Sequence, residues 1–507
     1  MKQGSSALFF AFFSLIFLVI FTFTLGLMAG PYIVSDLGGS NDISTYALAF
    51  YGVGNALGVP LGNQLTAKIK PKKLLIGCLL LFAFFCWISA AATNYPFFIA
   101  MRFAQGIVAG PFYFLFSYFM ATLAPRDKQQ LFFSILITIF TVVPVLGACW
   151  GGTLSYLFTW RLAFYLNVPI ILLLTLVFMI KMKHIDQSPT QKKQDPIGYI
   201  FFALGVFCLS TLVITGQELD WFRSDMIIFL AIAGILSLGF FITWALNRSD
   251  PVLDLHLFKN PIFTYGLTHL AFLFSIYFGT VILLSQWLTI DVNYTPLWIS
   301  LLVGTMAVAG CIPTFLIVKF NTIDCRLPLA IAIVLLAFSC FHTTLFNEEV
   351  NFGRIAFSRT IAGFGLVFFL PPIFRMCFHS FPEERSTRVL EIFQVVRALS
   401  SSLGASIFTT IWQRRQVFYH DRLGGQITVL SPETHDYFMK AQQVDLTGLP
   451  AFAKLNDLLN KRSTALALDD CFWLMGWILI GLLGILCFTT LMKSQGFVPE
   501  KNPITDE

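Results

Sequence analysis

An all-α integral membrane protein of about fourteen transmembrane helices is what this sequence predicts, and three observations predict it. Hydrophobic residues make up 57% of the 507 residues and charged ones 12%, with a mean hydropathy of +0.76, outside the usual make-up of a water-soluble domain. Apolar runs of about 20 residues, each long enough to cross ~30 Å of hydrocarbon, recur from one end to the other. Lys and Arg gather in the short segments between the runs, as a hydrocarbon layer that excludes ionised groups requires.

In chain order the runs are expected at 8–30, 44–66, 73–93, 96–124, 130–157, 162–182, 197–217, 226–247, 262–290, 296–319, 327–346, 353–379, 387–412 and 469–493. The first is longer than a signal-peptide core and continues to Gly30 and Pro31 without a clear small-residue cleavage site, so it reads as a retained span. An even count places both termini on one side. Loops on that side carry Lys68, Lys70, Lys72, Lys73, Arg126, Lys128, Lys181, Lys183, Lys192, Lys193, Arg248, Lys259, Lys319 and Arg326. Opposite short loops such as Ser35 to Asn41, Thr93 to Tyr95 and Asp291 to Thr295 carry no Lys or Arg. Both termini are therefore expected in the cytoplasm of a bacterial inner-membrane protein. One opposite-side loop, Gln413 to Asp469, is long and basic, and long segments translocate with little regard to charge. It is expected to form a solvated helical cap, with a docking surface for a partner protein as the alternative.

Polar linkers from Lys183 to Pro196 and from Arg248 to Asn260 enclose runs seven and eight. The chain then divides into a six-helix bundle at 1–183, linkers with a two-helix insert at 184–260, and a second six-helix bundle at 261–507 that carries the loop 413–469. Two pseudo-symmetric halves rocking about a midplane site are the expectation.

Several function classes are disfavoured. The net charge of +6 is spread over many short loops rather than gathered in a stripe, which argues against nucleic acid. Ten cysteines fall singly, with neither metal nor disulfide spacing, so no cofactor is expected. The sequence has no Gly-rich phosphate loop of an ATP-driven pump, no carboxylate and His constellation of a membrane-bound transferase, and no soluble output domain of a sensor. Glu218 and Asp220, at the end of run seven, read as interfacial. No enzyme active site is expected.

The segment from Arg102 to Pro111 places an arginine deep in run four, followed by Gln105, Gly106 and Gly110. An intramembrane arginine is costly and needs a partner or a task. A functional role is the expectation; the alternative is an arginine bonded to backbone carbonyls beside a close-packing glycine face. In run five, Pro144, Gly147, Gly151 and Gly152 put a missing backbone donor and small residues on one helix, which predicts a bent, tightly packed span.

With the turn Trp160-Arg161-Leu162-Ala163-Phe164-Tyr165-Leu166-Asn167-Val168-Pro169, these runs resemble the signatures of the major facilitator superfamily. More narrowly they are similar to its fourteen-helix drug:proton antiporters of the EmrB/QacA type. Pro251 to Lys259, Gln286-Trp287-Leu288 with Tyr294-Thr295-Pro296, and Arg359 to Gly365 with Pro371 also look like that branch. The resemblance implies two six-helix bundles around a central cavity, with two inserted spans and alternating access driven by proton influx. It assigns Arg102 to proton coupling and Pro144, Gly147, Gly151 and Gly152 to the antiporter bend. It also implies a small-molecule cargo and, in a Gram-negative host, a periplasmic adaptor protein and an outer-membrane channel.

The chain departs from the branch at three places. Thr22 and Leu27 stand where an Asp and an Asn are usual in span one, Gly62 to Lys73 lacks the acidic residue of the family's gating loop, and Gly147-Ala148 replaces a Gly-Pro pair. The ionisable residues within the runs are Arg102, His269, His342, Arg359, Arg375, Glu391 and Arg397, six potential cations and one carboxylate. Glu391 is thus the acidic candidate for carrying a proton. The alternative for it is an ordinary salt bridge at the membrane edge, with Arg388 and Gln394 one turn away.

Tyr46, Tyr51, Asn55, Gln286, Trp287, Arg359 and Arg397 are the expected cavity lining, because polar groups rarely face lipid. A cavity lined by arginine favours anionic or neutral polar cargo over lipophilic cations, unless Arg359 and Arg397 pair with helix C-termini. Export of small amphipathic compounds is the leading expectation. Export of an endogenous anionic metabolite, such as a carboxylate siderophore, is the alternative.

Overall fold

The computed structural model describes residues 6–40, 43–123, 129–182, 194–311, 324–347, 349–382, 385–428 and 431–494. Arg126, Lys128, Lys183, Lys192, Lys193 and Lys319 lie outside them. The helices are α1 (Ser6–Leu37), α2 (Tyr46–Thr66), α3 (Pro71–Ala90), α4 (Tyr95–Ala109), α5 (Pro111–Leu123), α6 (Gln129–Leu157), α7 (Trp160–Tyr165), α8 (Asn167–Lys181) and α9 (Pro196–Thr215). They continue with α10 (Asp225–Asn247), α11 (Pro261–Ile290), α12 (Pro296–Cys311), α13 (Arg326–Thr343), α14 (Phe352–Phe378), α15 (Ser386–Gly424), α16 (Pro432–Gln443) and α17 (Leu449–Ser494). Starts are marked by the expected chemistry. Proline opens α3, α9 and α11, where its missing N–H is no loss, and Asn94, Asp195, Asn260 and Asn351 cap the next turn with a side-chain oxygen.

Among the described residues, 12 helical stretches are long and apolar enough to cross a membrane. Two expected runs fall outside that count. The helix α12 is apolar but has 16 described residues. The helix α2 holds glycines, Asn55, Asn63 and Gln64, and it can afford them because α4, α5, α9 and α15 wall it off from lipid. Conversely, α8, α9 and α10 turn Leu172, Leu173, Ile180, Ile200, Phe229 and Leu236 outward, as helices facing hydrocarbon must.

Three boundaries differ from expectation. Run four is two helices meeting at Gly110 and Pro111, because Pro111 has no N–H to continue the ladder. Run six begins with the short helix α7 before α8. The loop 413–469 is mostly helix, as expected of a helical cap, but the flanking spans do not end at its edges: α15 runs on to Gly424, α17 starts at Leu449, and α16 lies between them. Hydropathy reports where lipid ends, and between Gln413 and Leu423 no Gly or Pro stops the helix there. Trp412 Nε1 donates to the Thr464 carbonyl at 3.1 Å, tying α15 to α17, and Tyr437 donates to the Ala451 carbonyl at 3.0 Å, tying α16 to α17.

Packing within the first part pairs α1 with α6, α2 with α4 and α3 with α8. In the last part α11 pairs with α15, α12 with α14, and α13 with α14 and α17. The two groups meet where α6 lies on α12 and α2 on α15, while α9 and α10 pair with each other and α9 rests on α2 and α15.

Candidate transport site

The first cluster forms around Arg102, which is fully buried on α4. Its Nη1 donates to Gln105 Oε1 at 2.6 Å, and its Nη2 donates to the carbonyls of Thr22 and Phe23 in α1 at 3.1 and 3.0 Å. The guanidinium lies 4.4 Å from the Tyr51 ring and 5.3 Å from the Phe164 ring. Gln105 in turn donates to Cys86 Sγ at 2.7 Å. One arginine thereby joins α1, α2, α3, α4 and α7, and the backbone of the residue standing at the family's acidic position is its acceptor. Around it Thr22 Oγ1, both Asn55 amide atoms and Arg102 Nε have no hydrogen-bond partner among the described residues. Leu27, the second departure in span one, lines a cleft farther along α1.

The same stretch of α1 is gripped from its other side. Pro144 lies within a helix that remains continuous from Gln129 to Leu157. A Cβ at Gly147 would lie 2.6 Å from the Phe21 carbonyl oxygen, one at Gly152 would lie 2.9 Å from Met28 Cβ, and one at Gly151 would overlap the Leu25 carbonyl. Without a hydrophobic drive between helices in lipid, such close backbone approach is what packs them. Gly106 and Gly110 do likewise for α4 on α2: a Cβ at Gly106 would stand 2.9 Å from the Asn55 backbone nitrogen, and one at Gly110 would overlap Gly58.

A second cluster lies on the seam between the two groups of helices. Arg397 of α15 sits 4.7 Å from the Phe140 ring, 5.1 Å from Tyr113 and 6.0 Å from Phe274. Its Nε donates to Gln394 Oε1 at 2.6 Å. Beside it Tyr277 of α11 donates to the Thr141 carbonyl of α6 at 3.1 Å, and Phe23 meets Phe278 with ring centroids 5.5 Å apart. The seam is tied towards the face opposite the Lys68 to Lys73 loop: Ser300 Oγ donates to the Cys149 carbonyl at 3.1 Å and Gln286 Nε2 donates to Ser44 Oγ at 3.1 Å. A cleft of about 370 Å³, open mouth included, remains there between Leu27, Met28, Pro31, Tyr32, Ser285, Gln286, Thr289, Pro296 and Ile299.

The other expected lining residues are dispersed. Tyr51 is buried between Phe23 and Arg102, and Tyr46 is half-buried beside Phe50. Gln286 lines the cleft, whereas its neighbour Trp287 is turned into the core. Arg359 lies inside the last group: its Nη2 donates to Ser339, Thr343 and Ser358 at 3.1, 2.6 and 3.2 Å, with Phe472 5.6 Å away. Among the described residues neither it nor Arg397 pairs with a helix C-terminus; hydroxyls and an amide take that place. Glu391 is buried in a polar cleft with Asn63, Gln64, Asp250, Asp254 and Arg388. Arg388, however, reaches across to Asp250 and Asp254 of the linker.

Sequence reasoning missed Asp195, which is fully buried. Its Oδ1 accepts from Gly198 N and Trp244 Nε1 at 3.1 and 3.0 Å, its Oδ2 accepts from Val252 N at 3.1 Å, and Arg248 stands 3.7 Å away. Its own N–H donates to Gln64 Oε1 of α2 at 3.0 Å. The Asp195-Pro196 pair signals a helix start, but nothing local signals the partners 49 and 57 residues on.

The sequence model of the Major Facilitator Superfamily matches residues 11–405. The chain is 26% identical over 475 residues to the multidrug export protein EmrB of Escherichia coli K12, covering 93% of each. It is 28% identical over 461 residues to the fatty acid resistance protein FarB of Neisseria gonorrhoeae, covering 90% of each. Among solved structures, the POT family transporter PepTSo aligns with a TM-score of 0.60 at 12% identity, covering 96% of this chain and 99% of that one. A peptide transporter POT in complex with sulfate aligns at 0.58 and 16%, covering 95% and 94%. At such identities the structural likeness speaks for the fold.

Proposed function

The chain belongs to the major facilitator superfamily, and from that premise we propose that it is a secondary exporter of small amphipathic compounds across a bacterial inner membrane, driven by proton influx. The observation that carries this reading is the seam. Its centre is an aromatic and cationic layer contributed by both groups of helices, with polar ties towards one face. Towards the Lys68 to Lys73 face the linker bridges the groups, through Gln64 with Asp195 on one and Arg388 with Asp250 and Asp254 on the other. Breaking one set of ties at a time is alternating access. In this reading 1–183 and 261–507 are the rocking halves, 184–260 is the insert, and the basic face is cytoplasmic. The relatives named for multidrug export and fatty acid resistance support amphipathic cargo. Export of an endogenous anionic metabolite draws on the same acid-poor seam.

Arg102 holds α1 through its backbone and Glu391 supplies the buried carboxylate that takes up and releases the proton. Inverted vesicles with an imposed pH gradient test this. Dye accumulation should collapse with the gradient, fall at least tenfold in Arg102→Ala, and lose its response to the gradient in Glu391→Gln. Gradient-independent transport by the wild type would rule out proton coupling.

The cap also presents Val417, Phe418, Val444, Leu449 and Phe452 to solvent. We assign this apolar surface to a periplasmic adaptor protein, which would extend the path to an outer-membrane channel. Replacing 413–469 by a short linker should abolish adaptor recovery in a pull-down while the protein stays in the membrane; unchanged recovery would exclude the cap as the dock.

A further inference from the structure

Three arginines are buried in the described helices, and they are not alike. Arg102 donates to three acceptors on two helices, and Arg359 places one nitrogen among three hydroxyls. Arg359 leaves its Nε and Nη1 without acceptors, but it is enclosed within one group of helices. Arg397 donates through Nε to Gln394 alone. Among the described residues its two terminal nitrogens meet no acceptor, and no carboxylate forms an ion pair with it. It also stands on the seam, with Tyr113 and Phe140 from one group and Phe274 from the other around it.

A guanidinium in low dielectric is stabilised by an anion or by several acceptors, and ring faces supply only part of that stabilisation. The neighbouring donors are also unused. The Tyr113 hydroxyl and the Gln394 amide nitrogen donate to no acceptor among the described residues, although both side chains are buried. A planar fork with two spare NH2 groups, an amide, a hydroxyl and three ring faces complements a forked anion attached to an apolar body. The same fork repels a cationic head group, and among the described residues no carboxylate pairs with it.

We propose that Arg397 is the cargo-recognition cation: it binds the carboxylate or sulfonate head of an amphipathic monoanion, with Gln394 and Tyr113 as auxiliary donors and the rings of Phe140 and Phe274 against the cargo's apolar body. The assignment rests on the export reading above and narrows its substrate class. Opening of the seam from either face parts Phe140 and Tyr113 from Arg397 and exposes the fork.

Three probes with one ten-carbon body, decanoate, decanol and decyltrimethylammonium, isolate the head group. Binding to the full chain in lipid nanodiscs is measured by calorimetry, with empty discs subtracted, for the wild type, Arg397→Gln and Arg397→Lys. Decanoate should bind the wild type most tightly, weaken at least tenfold in Arg397→Gln and less in Arg397→Lys, while decanol stays within twofold throughout. Equal losses for decanoate and decanol, or no loss for decanoate, would overturn the assignment. If Arg397→Gln has a lowered thermal midpoint, the Lys variant decides: the decanoate-to-decanol ratio must still fall. Proteoliposome transport separates the two claims, since wild type that binds decanoate through Arg397 yet moves none of the probes refutes export and leaves the recognition site standing.

Discussion

Gly151→Val is expected to abolish efflux and to remove most of the folded protein, whereas Gly239→Val should leave both near wild type. A side chain at position 151 must displace the Leu25 carbonyl, a backbone group within a helix, while a Cβ at Gly239 meets nothing within 4 Å. Overpacking a filled contact costs roughly 1–3 kcal/mol and sometimes more. Here the strain is transmitted further, because the α1 segment that must move also offers Thr22 and Phe23 to Arg102. Hydrogen bonds to a charged group contribute about 1.5–3 kcal/mol each. The combined loss rivals the ~5–15 kcal/mol by which proteins are stable at all. Size-exclusion profiles of the detergent-solubilised protein and drug susceptibility of the host measure the two halves of the result. If Gly151→Val and Gly239→Val behave alike, the close approach of α1 and α6 is not a constraint.

The same pair of helices illustrates what could be read before any coordinates. The Pro144 to Gly152 run predicted tight packing, because small residues one turn apart have few other uses in lipid. It could not name α1 as the partner, since a smooth helix face is compatible with any neighbour. Arg102 was legible for a similar reason: a charge in an apolar run is conspicuous. Its acceptors were not, being main-chain oxygens of Thr22 and Phe23, which every residue possesses. The reach of α15 and α17 beyond the lipid was hidden because hydropathy falls at the membrane edge while the helical ladder does not. Trp287 and Gln286 show the remaining limit. Adjacent residues on a helix point about 100° apart, so a motif containing both cannot say which one faces the cleft.

What the sequence concealed most thoroughly is the joint at Asp195, and it carries the second large effect. Asp195→Ala is expected to release the insert from the linker. The carboxylate accepts from Gly198, Trp244 and Val252 and faces Arg248 in a fully buried setting. Its removal orphans those donors together, at about 1–3 kcal/mol for each unsatisfied group; the lost attraction to Arg248, which is partly exposed and still donates to the Gln194 carbonyl, adds about 1 kcal/mol or less after screening. Asp195→Asn keeps the shape but turns an NH2 group towards at least one donor, so it should lose roughly half as much. Arg388→Ala, in contrast, breaks pairs that are about a quarter exposed on the arginine side, and the expected loss is near 1 kcal/mol after screening. Hydrogen exchange distinguishes the cases. In Asp195→Ala the amides at the start of α9 and from Val252 to Asn260 should exchange at least a hundredfold faster while those of α1 and α6 keep their protection. Because Gln64 of α2 holds the Asp195 backbone and Arg388 of α15 holds the linker, freeing the insert also loosens the bridge between the two groups on the basic face, and transport should slow with it. Wild-type exchange in Asp195→Ala would mean that the insert is held to the rest by its apolar faces alone.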